Sequence, residues 1–382
     1  MTLVVPVGPQ HPALEEPEHF RITVEGEEIV DADVRLGYMH RGIEKAFQEQ
    51  NYQRGVYLSE RICGICSGIH TLVNVETAEQ LAGIEAPPRA KYIRTIVAEL
   101  ERIHSHLLWA GIAAHEIGFM TLFMLTWRDR ELVMDLLEMI SGNRVNYAAN
   151  TIGGVRFNIN PTQAVKIMDG LDELEKHGKH YADVFPSDPT ILARCEGKGI
   201  LSKEDGLKLC AVGPTARASG IDVDLRRDDP YAAYDEIDFE VITAKEGDVL
   251  ANAKVRLLEI LESVKIIRTA LERMPSGRLR VKAPKKFPEG EATNRGEAPR
   301  GELFYHFKSR GGEKPYRVKV RTPTLANMPS ALEKLKGETL TEVPIVVASI
   351  DPCFNCTERV TVVDSETGDS RIMTEEELRE LK

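Results

Sequence analysis

Residues 247–273 read GDVLANAKVRLLEILESVKIIRTALER, and the placement of their apolar side chains decides the fold. Leu250, Ala253, Leu257, Ile260, Val264, Ile267 and Leu271 follow one another at alternating spacings of three and four. A helix turns once in about 3.6 residues, so these positions form one stripe, the seam of a packed helical bundle. Met274-Pro275-Ser276-Gly277 then ends the helix. Upstream, Lys91–Phe119 carries Ile93, Ile96, Val97, Leu100, Ile103, Leu107 and Ile112 on or near one face. A shorter helix is predicted over 129–140, stopped by Ser141-Gly142-Asn143. From Arg41 onward the pattern is mostly helical. Residues 1–36 alternate instead (Phe20, Ile22, Val24, then Val30, Ala32, Val34), with a hairpin turn predicted at Glu25-Gly26-Glu27-Glu28. Residues 276–302, rich in Pro, Gly, Lys and Glu, read as loop, while Glu302–Val320 and Val343–Ile350 read as strands. There is no internal repeat and no clean linker. The expected fold class is mainly α, a large helical bundle core with small β regions near the N- and C-termini, forming one domain over 1–359.

A chain of 382 residues can bury a large core, and 42% hydrophobic with 29% charged residues is ordinary for a globular protein. The net charge of −11 argues against nucleic acid, which requires clustered Lys and Arg, but leaves a membrane-bound partner open. No stretch approaches the ~18 uninterrupted apolar residues of a membrane span. The opening residues, MTLVVPVGPQHPA, lack the basic and apolar blocks of a secretory signal. A cytoplasmic location is the expectation.

Six cysteines are present: Cys63, Cys66, Cys195, Cys210, Cys353 and Cys356. Four form Cys-x-x-Cys pairs, in Arg61-Ile-Cys63-Gly-Ile-Cys66 and Asp351-Pro-Cys353-Phe-Asn-Cys356. That spacing lets both sulfurs of a pair face one ion, and Gly64 frees the backbone to wrap. Soft thiolates suit zinc, iron–sulfur clusters and late transition metals. Zinc ribbons set their pairs only ~15–20 residues apart, whereas here nearly the whole chain intervenes. A structural zinc and a catalytic or redox metal both stay open; a redox dithiol fits less, since neither pair follows a strand of a βαβ unit. Cys195 and Cys210 lack such partners and are expected to be small buried hydrophobes.

The residues around these cysteines extend the pattern along the chain: Gly8-Pro-Gln-His11-Pro-Ala, Glu16-Pro-Glu-His-Phe-Arg21, His40-Arg-Gly-Ile-Glu44-Lys, and Cys63-Gly-Ile-Cys66-Ser-Gly-Ile-His70. Further on come Glu99-Leu-Glu-Arg-Ile-His104-Ser-His106, Gly213-Pro-Thr-Ala-Arg217-Ala-Ser-Gly, Glu297-Ala-Pro-Arg300-Gly, and Asp351-Pro-Cys353-Phe-Asn-Cys356-Thr-Glu-Arg359. In number and order they resemble the large subunit of nickel–iron hydrogenases, and more narrowly the membrane-bound, energy-converting group related to the 49 kDa subunit of respiratory complex I. The resemblance implies a nickel held by all four thiolates. Cys66 and Cys356 would bridge to an iron carrying carbon monoxide and cyanide, and Cys63 and Cys353 would bind nickel alone. Splitting dihydrogen heterolytically releases a proton, which Cys353 is the better placed to accept and Glu16 matches the carboxylate that carries it away; Glu18, beyond the inserted Pro17, is the alternative. Arg300 would lie over the cyanides with Asp351 as its partner. Glu44 matches an acidic residue that in many relatives binds magnesium beside a terminal histidine; Arg359 stands in the histidine's place here. His70 is a candidate hydrogen-bonding group behind the cysteines, or an ordinary buried histidine.

The family's chains are commonly trimmed by a maturation protease three residues after the last cysteine, here Arg359, so Val360–Lys382 reads as an extension removed on maturation or as a tail docking on a partner. It reads as a strand, a turn at Glu366-Thr-Gly-Asp369 and a short helix opened by a capping box from Thr374 to Glu377. With no cysteines left for clusters, electrons would pass to an iron–sulfur small subunit. Membrane-embedded, antiporter-like subunits would hold the chain peripherally on the inner face of the cell membrane. The competing readings are a metal-free quinone-site subunit, for which His11 speaks and the four cysteines speak against, a sulfur-reducing relative, and a zinc-stabilised scaffold without catalysis.

Overall fold

The computed structural model describes residues 2–373 apart from 13, 15 and 358. Three antiparallel strands come first: β1 (Thr2–Val7), β2 (His19–Glu25) and β3 (Glu28–Arg35). β2 is central, and its Phe20, Ile22 and Val24 face inward. The turn between β2 and β3 falls at Gly26, as its position predicts. Two short helices, α1 (Ile43–Glu49) and α2 (Tyr52–Ser59), lead into α3 (Ser67–Ala82), which ends at left-handed Gly83.

The bundle is built from α4 (Pro88–Glu116), α5 (Met120–Ser141), α6 (Pro161–Val184), and a later long helix. Pro88 at the first turn starts α4 without loss of a needed hydrogen bond, and Asn160 with Gln163 makes a reciprocal capping box on α6. A tiny hairpin, β4 (Asn150–Thr151) and β5 (Gly154–Val155), separates α5 from α6. Four short helices follow: α7 (Pro189–Cys195), α8 (Lys203–Lys208), α9 (Gly213–Ala218) and α10 (Leu225–Asp228). Then comes α11 (Val249–Arg273), capped by the Asp248 carboxylate on the Ala251 amide at 2.7 Å. α11 packs on α4 and α6 through the predicted seam, with Ala253, Leu257, Ile260, Val264 and Ile267 buried; Leu271, at its end, is partly buried.

Two expectations change in the C-terminal third. Residues 276–302 are not all loop: β6 (Phe287–Ala298) pairs along its length with β7 (Gly301–Gly312), which pairs with β8 (Arg317–Arg321). The sequence FPEGEATNRGEA has little strand propensity, but Leu303, Tyr305 and Phe307 of β7 alternate inward and give it a partner, and context outweighs propensity. Val343–Ser349 is a helix, α13, not a strand. An apolar run this short is equally a buried helix or a buried strand, and burial of Val343, Ile345, Val346 and Val347 removes the polar face that would have declared the period. α12 (Pro323–Leu335) precedes it. With about half the chain helical and 17% in strands, mainly α holds only roughly.

Beyond the second cysteine pair, β9 (Val360–Val363) and β10 (Ser370–Met373) form the predicted strand and turn, completed by a second strand. The Thr361 amide donates to the Leu36 carbonyl at 2.9 Å, docking this hairpin at the end of β3. The capping box expected at Thr374–Glu377 lies outside the described residues.

Candidate metal centre

Cys63 lies in the turn between α2 and α3, and Cys66 is the residue from which α3 starts. The amides of Ile65 and Cys66 both approach the Cys63 sulfur at 3.4 Å. At the other end of the chain, α13 ends at Ser349, and Asp351, two residues on, adopts a left-handed backbone (φ 56°) just before Pro352 and Cys353. A non-glycine residue held there marks a position fixed by its surroundings. Thr324 accepts the Cys353 amide on its hydroxyl at 3.0 Å, and Thr322 donates to the Cys356 carbonyl at 2.8 Å, so the start of α12 braces the second pair.

The two pairs meet. The Cys353 sulfur lies 3.4 Å from that of Cys63 and 3.1 Å from that of Cys356, and the sulfurs of Cys63, Cys66 and Cys356 all fall within 4.8 Å of one another. All four are buried and none is in a disulfide. Thiolates sharing one ion at about 2.3 Å lie roughly 3.3–3.8 Å apart, so the cage has the dimensions of a metal site. The four thiols are unequal: hydrogen bonds from Cys353, then Cys356 and Cys66, hold the Cys63 thiol well below its usual range, while hydrogen bonding to Cys353, Cys63 and Cys66 together with burial pushes Cys356 well above it. Neighbouring thiolates repel one another, and a bound cation is what would let more of them ionise. The donor set therefore fits a soft transition metal.

Arg41 ties the two turns together. Its guanidinium donates to the carbonyls of Arg61 at 2.7 Å, Ile62 at 2.9 Å and Asn355 at 2.8 Å. Arg41 stands inside a quoted motif, yet nothing local marks it as a clamp, because its three acceptors are backbone atoms. Glu101 is likewise a residue whose role spacing does not reveal. Fully buried, it accepts the Ile69 amide at 2.8 Å and caps α3 directly behind Cys66; burial raises its pKa to about 8. Tyr305, from the inward face of β7, meets His70 Nδ1 at 2.9 Å.

Arg300 sits at the tip of the β6–β7 hairpin rather than in a loose loop, because Ala298 pairs with Gly301. It is buried, and its Nε donates to the Asp351 carbonyl at 2.8 Å, one Nη to the Asp351 carboxylate at 2.7 Å and the other to Ser105 at 3.2 Å. Burial raises the Asp351 pKa against the pull of Arg300 and Arg256. The Glu16 carboxylate accepts the Asn355 amide at 2.7 Å and its side-chain amide as well, seating it on the turn between Cys353 and Cys356. Its pKa is raised by burial, and the charge of Cys63 pushes the same way. Glu18 is fully buried and pushed up to about 8 by burial.

Glu44 is placed differently. It accepts the Val320 amide at 2.9 Å and lies among three cations, Arg359 at 3.5 Å, Arg317 at 3.6 Å and Lys319 at 3.8 Å. A carboxylate already neutralised by arginine and lysine does not fit a magnesium ion, so Glu44 reads as an ion-pair acceptor. Cys195 is buried as expected; Cys210 is exposed, in a left-handed conformation (φ 55°) just past the end of α8. His11 is exposed on the loop before β2.

The remaining motif residues form a buried ionic network. Arg217 contacts Glu297 at 2.7 Å and Glu259 at 2.8 Å; Arg226 contacts Asp224 at 2.7 Å and Glu99 at 3.2 Å; His106 meets Glu259 at 2.9 Å. These pairs stitch α4, α9, α10, α11 and β6 behind the centre.

Comparison with known proteins agrees with this architecture. Residues 41–168 match the family model for nickel-dependent hydrogenase, and residues 116–288 and 283–359 match that for the 49 kDa subunit of respiratory-chain NADH dehydrogenase. The chain is 42% identical to the membrane-bound hydrogenase subunit alpha of Pyrococcus furiosus, covering 99% of this chain and 92% of that one. It is 40% identical to the carbon monoxide-induced hydrogenase of Rhodospirillum rubrum, over 94% of this chain and 99% of that one. A solved structure of a membrane-bound sulfane sulfur reductase, an archaeal respiratory membrane complex, contains a chain that superposes with a TM-score of 0.89 at 32% identity, covering 94% of this chain and 98% of that one. Among the described residues, no helix is long and apolar enough to cross a membrane. The chain belongs to the nickel–iron hydrogenase large-subunit family, an oxidoreductase family, in the membrane-bound group related to the 49 kDa subunit of respiratory NADH dehydrogenase.

Proposed function

We propose that this chain is the catalytic large subunit of a nickel–iron hydrogenase, oxidising dihydrogen or reducing protons within a membrane-bound, energy-converting complex. One observation carries the reading: four buried sulfurs from opposite ends of the chain converge on a cage of metal-site size, beside a buried arginine and a carboxylate. Cys63 and Cys353 would hold nickel, and Cys66 and Cys356 would bridge to an iron bearing carbon monoxide and cyanide. When bound, that centre supplies the Lewis acidity that polarises and splits dihydrogen.

The chain's own residues handle the proton and the charge. Cys353, whose thiol also feels the Glu16 charge, accepts the proton at its sulfur, and the Glu16 carboxylate takes it onward. Asn355 holds Glu16 at the centre's edge. Three of the five N–H donors of Arg300 are committed to Asp351 and Ser105, which fixes the plane of the guanidinium and leaves the others for the cyanides. Asp351 and Ser105 are positioning groups.

A hydrogenase passes electrons onward, and with Cys195 and Cys210 apart from the centre, the acceptor is an iron–sulfur small subunit. Other membrane subunits would anchor the assembly on the inner face of the membrane. Residues 360–382 are proposed to be removed after metal loading. The sulfur-reducing reading has support in the 0.89 superposition on a sulfane sulfur reductase. Metal analysis with infrared spectroscopy tests the proposal: nickel and iron with carbon monoxide and cyanide bands are expected, and zinc alone would reject it. Activity with dihydrogen against polysulfide separates the two enzymatic readings.

A further inference from the structure

The backbone turn that carries Asp351 is held by α4 as well as by Arg300. A non-glycine residue in the left-handed region is strained, and it stays there only where its neighbours fix it on several sides. Arg300 supplies one of these holds, as described. The other is the Ala348 carbonyl in the last turn of α13, which accepts the Asp351 amide at 2.8 Å and the Trp109 indole Nε1–H at 2.7 Å. An indole has a single N–H and no acceptor, so this carbonyl takes all the hydrogen bonding that Trp109 can offer. Trp109 is only 2% exposed and lies in α4, a helix whose place is set by the bundle. The bond therefore transmits the position of α4 to the turn before Cys353.

Trp109 is itself clamped from α11. The Arg256 guanidinium carbon lies 4.5 Å from the centroid of the indole ring. A cation at that distance from an aromatic face is attracted to it, and more strongly where water is excluded. Arg256 has no solvent exposure. One Nη donates to the Asn252 carbonyl a turn earlier at 3.0 Å, while Nε and the other Nη have no hydrogen-bond partner among the described residues. A carboxylate in contact is the ordinary compensation for a buried guanidinium, and here the indole face stands in that place. Burial pushes the Arg256 pKa down to about 10, with the charge of Asp351 the first to oppose the fall, so the group remains a cation at neutral pH.

We propose that Trp109 is a positioning residue for the metal centre, with Arg256 as its clamp. The indole N–H holds the Ala348 carbonyl, and that carbonyl holds the Asp351 amide. The turn so fixed keeps the Asp351 carboxylate on Arg300 and Cys353 at the cage. Every link is a direct contact: 4.5 Å from Arg256 to Trp109, 2.7 Å to Ala348, 2.8 Å to Asp351 and 2.7 Å on to Arg300. None involves a residue beyond Asp351, so the brace is the same with or without the C-terminal tail.

This role rests on the hydrogenase reading, and the test keeps the two apart. Nickel, iron and the infrared bands of the purified wild-type complex are recorded first; their absence would reject the hydrogenase reading, and this role with it. Trp109→Phe keeps an aromatic face for Arg256 and removes the N–H. It should retain wild-type metal content and melting midpoint, shift the infrared bands of the iron ligands, and lower kcat for dye-coupled hydrogen oxidation at least threefold with KM unchanged. 3-Benzothienylalanine at position 109, with sulfur replacing the N–H in a ring of the same shape, should do the same, and it carries the test should Trp109→Phe fail to load metal. Arg256→Met should shift the bands the same way, and Arg256→Lys, which keeps the charge, should shift them less. Adding Arg256→Met to Trp109→Phe should move them no further; an additive shift would overturn the clamp. Wild-type bands and kcat in the benzothienyl variant would overturn the positioning role while leaving the hydrogenase reading intact. Metal loss in step with a fallen melting midpoint would overturn it too, by showing Trp109 to be structural only.

Discussion

His70 has two ring nitrogens, and Tyr305 occupies one of them. Burial pushes the imidazole down to about 4, so the ring is neutral at physiological pH, and burial keeps the phenol protonated. Nδ1 and the Tyr305 hydroxyl share one hydrogen bond, and Nε2 is a buried nitrogen without a partner among the described residues. The charge of Cys63 acts on this ring, so a change at Tyr305 reaches the sulfur cage through it. Tyr305→Phe should leave nickel content unchanged and shift the infrared bands of the iron ligands; an identical spectrum would reject the role. Arg217 is the residue on which the ionic network turns. Arg217→Met strands the buried carboxylates of Glu259 and Glu297, and loss of one partner of a buried pair costs about 3–5 kcal/mol. A lower urea midpoint at unchanged slope is the expected result, and a midpoint equal to wild type would show the network to be dispensable.

At the scale of elements, the β6–β7 hairpin matters because its tip delivers Arg300. Two glycines set the tip against the start of α9. A Cβ on Gly213, which has φ 66°, would lie 2.3 Å from the Gly301 Cα, and one on Gly301, with φ 126°, would lie 2.9 Å from the Gly213 Cα. Backbone meets backbone, so no side chain can yield. Gly213→Ala combines that clash with a disfavoured φ and should lower stability by about 2–4 kcal/mol. It should also reduce nickel loading, since Arg300 and through it Asp351 move with the tip. Full loading in a destabilised variant would uncouple the hairpin from the centre. Of the long helices, α11 and α4 were legible in sequence and follow their apolar stripes to within a few residues, whereas α5 begins nine residues before the predicted start at 129 and α6 was not singled out. α13 was not legible, because it is buried nearly all round. β6 was not either, because its pairing partner, rather than its own residues, makes it a strand.

For the whole molecule, the tail is where processing would change the fold. The β9–β10 hairpin covers one side of a cavity of ≈ 350 Å³ lined by His19, Arg21 and Asp33, and Arg359, at the proposed cleavage point, pairs with Glu44. Nickel-loaded protein should have the intact mass of a chain ending at Arg359; loaded protein that still ends at Lys382 would make the tail permanent. The sequence by itself determined the helical bundle, the N-terminal hairpin, the two cysteine pairs, and the family to which their surrounding motifs point. These are local facts, carried by periodicity, turn residues and spacing. Only the tertiary structure decided that sulfurs 290 positions apart lie at 3.4 Å, that Arg41 clamps both turns, that Glu44 lies among arginine and lysine side chains, and that Glu18 is fully buried. Distance through space and the water left around a charge depend on how the whole chain packs, and no stretch of residues carries that information alone.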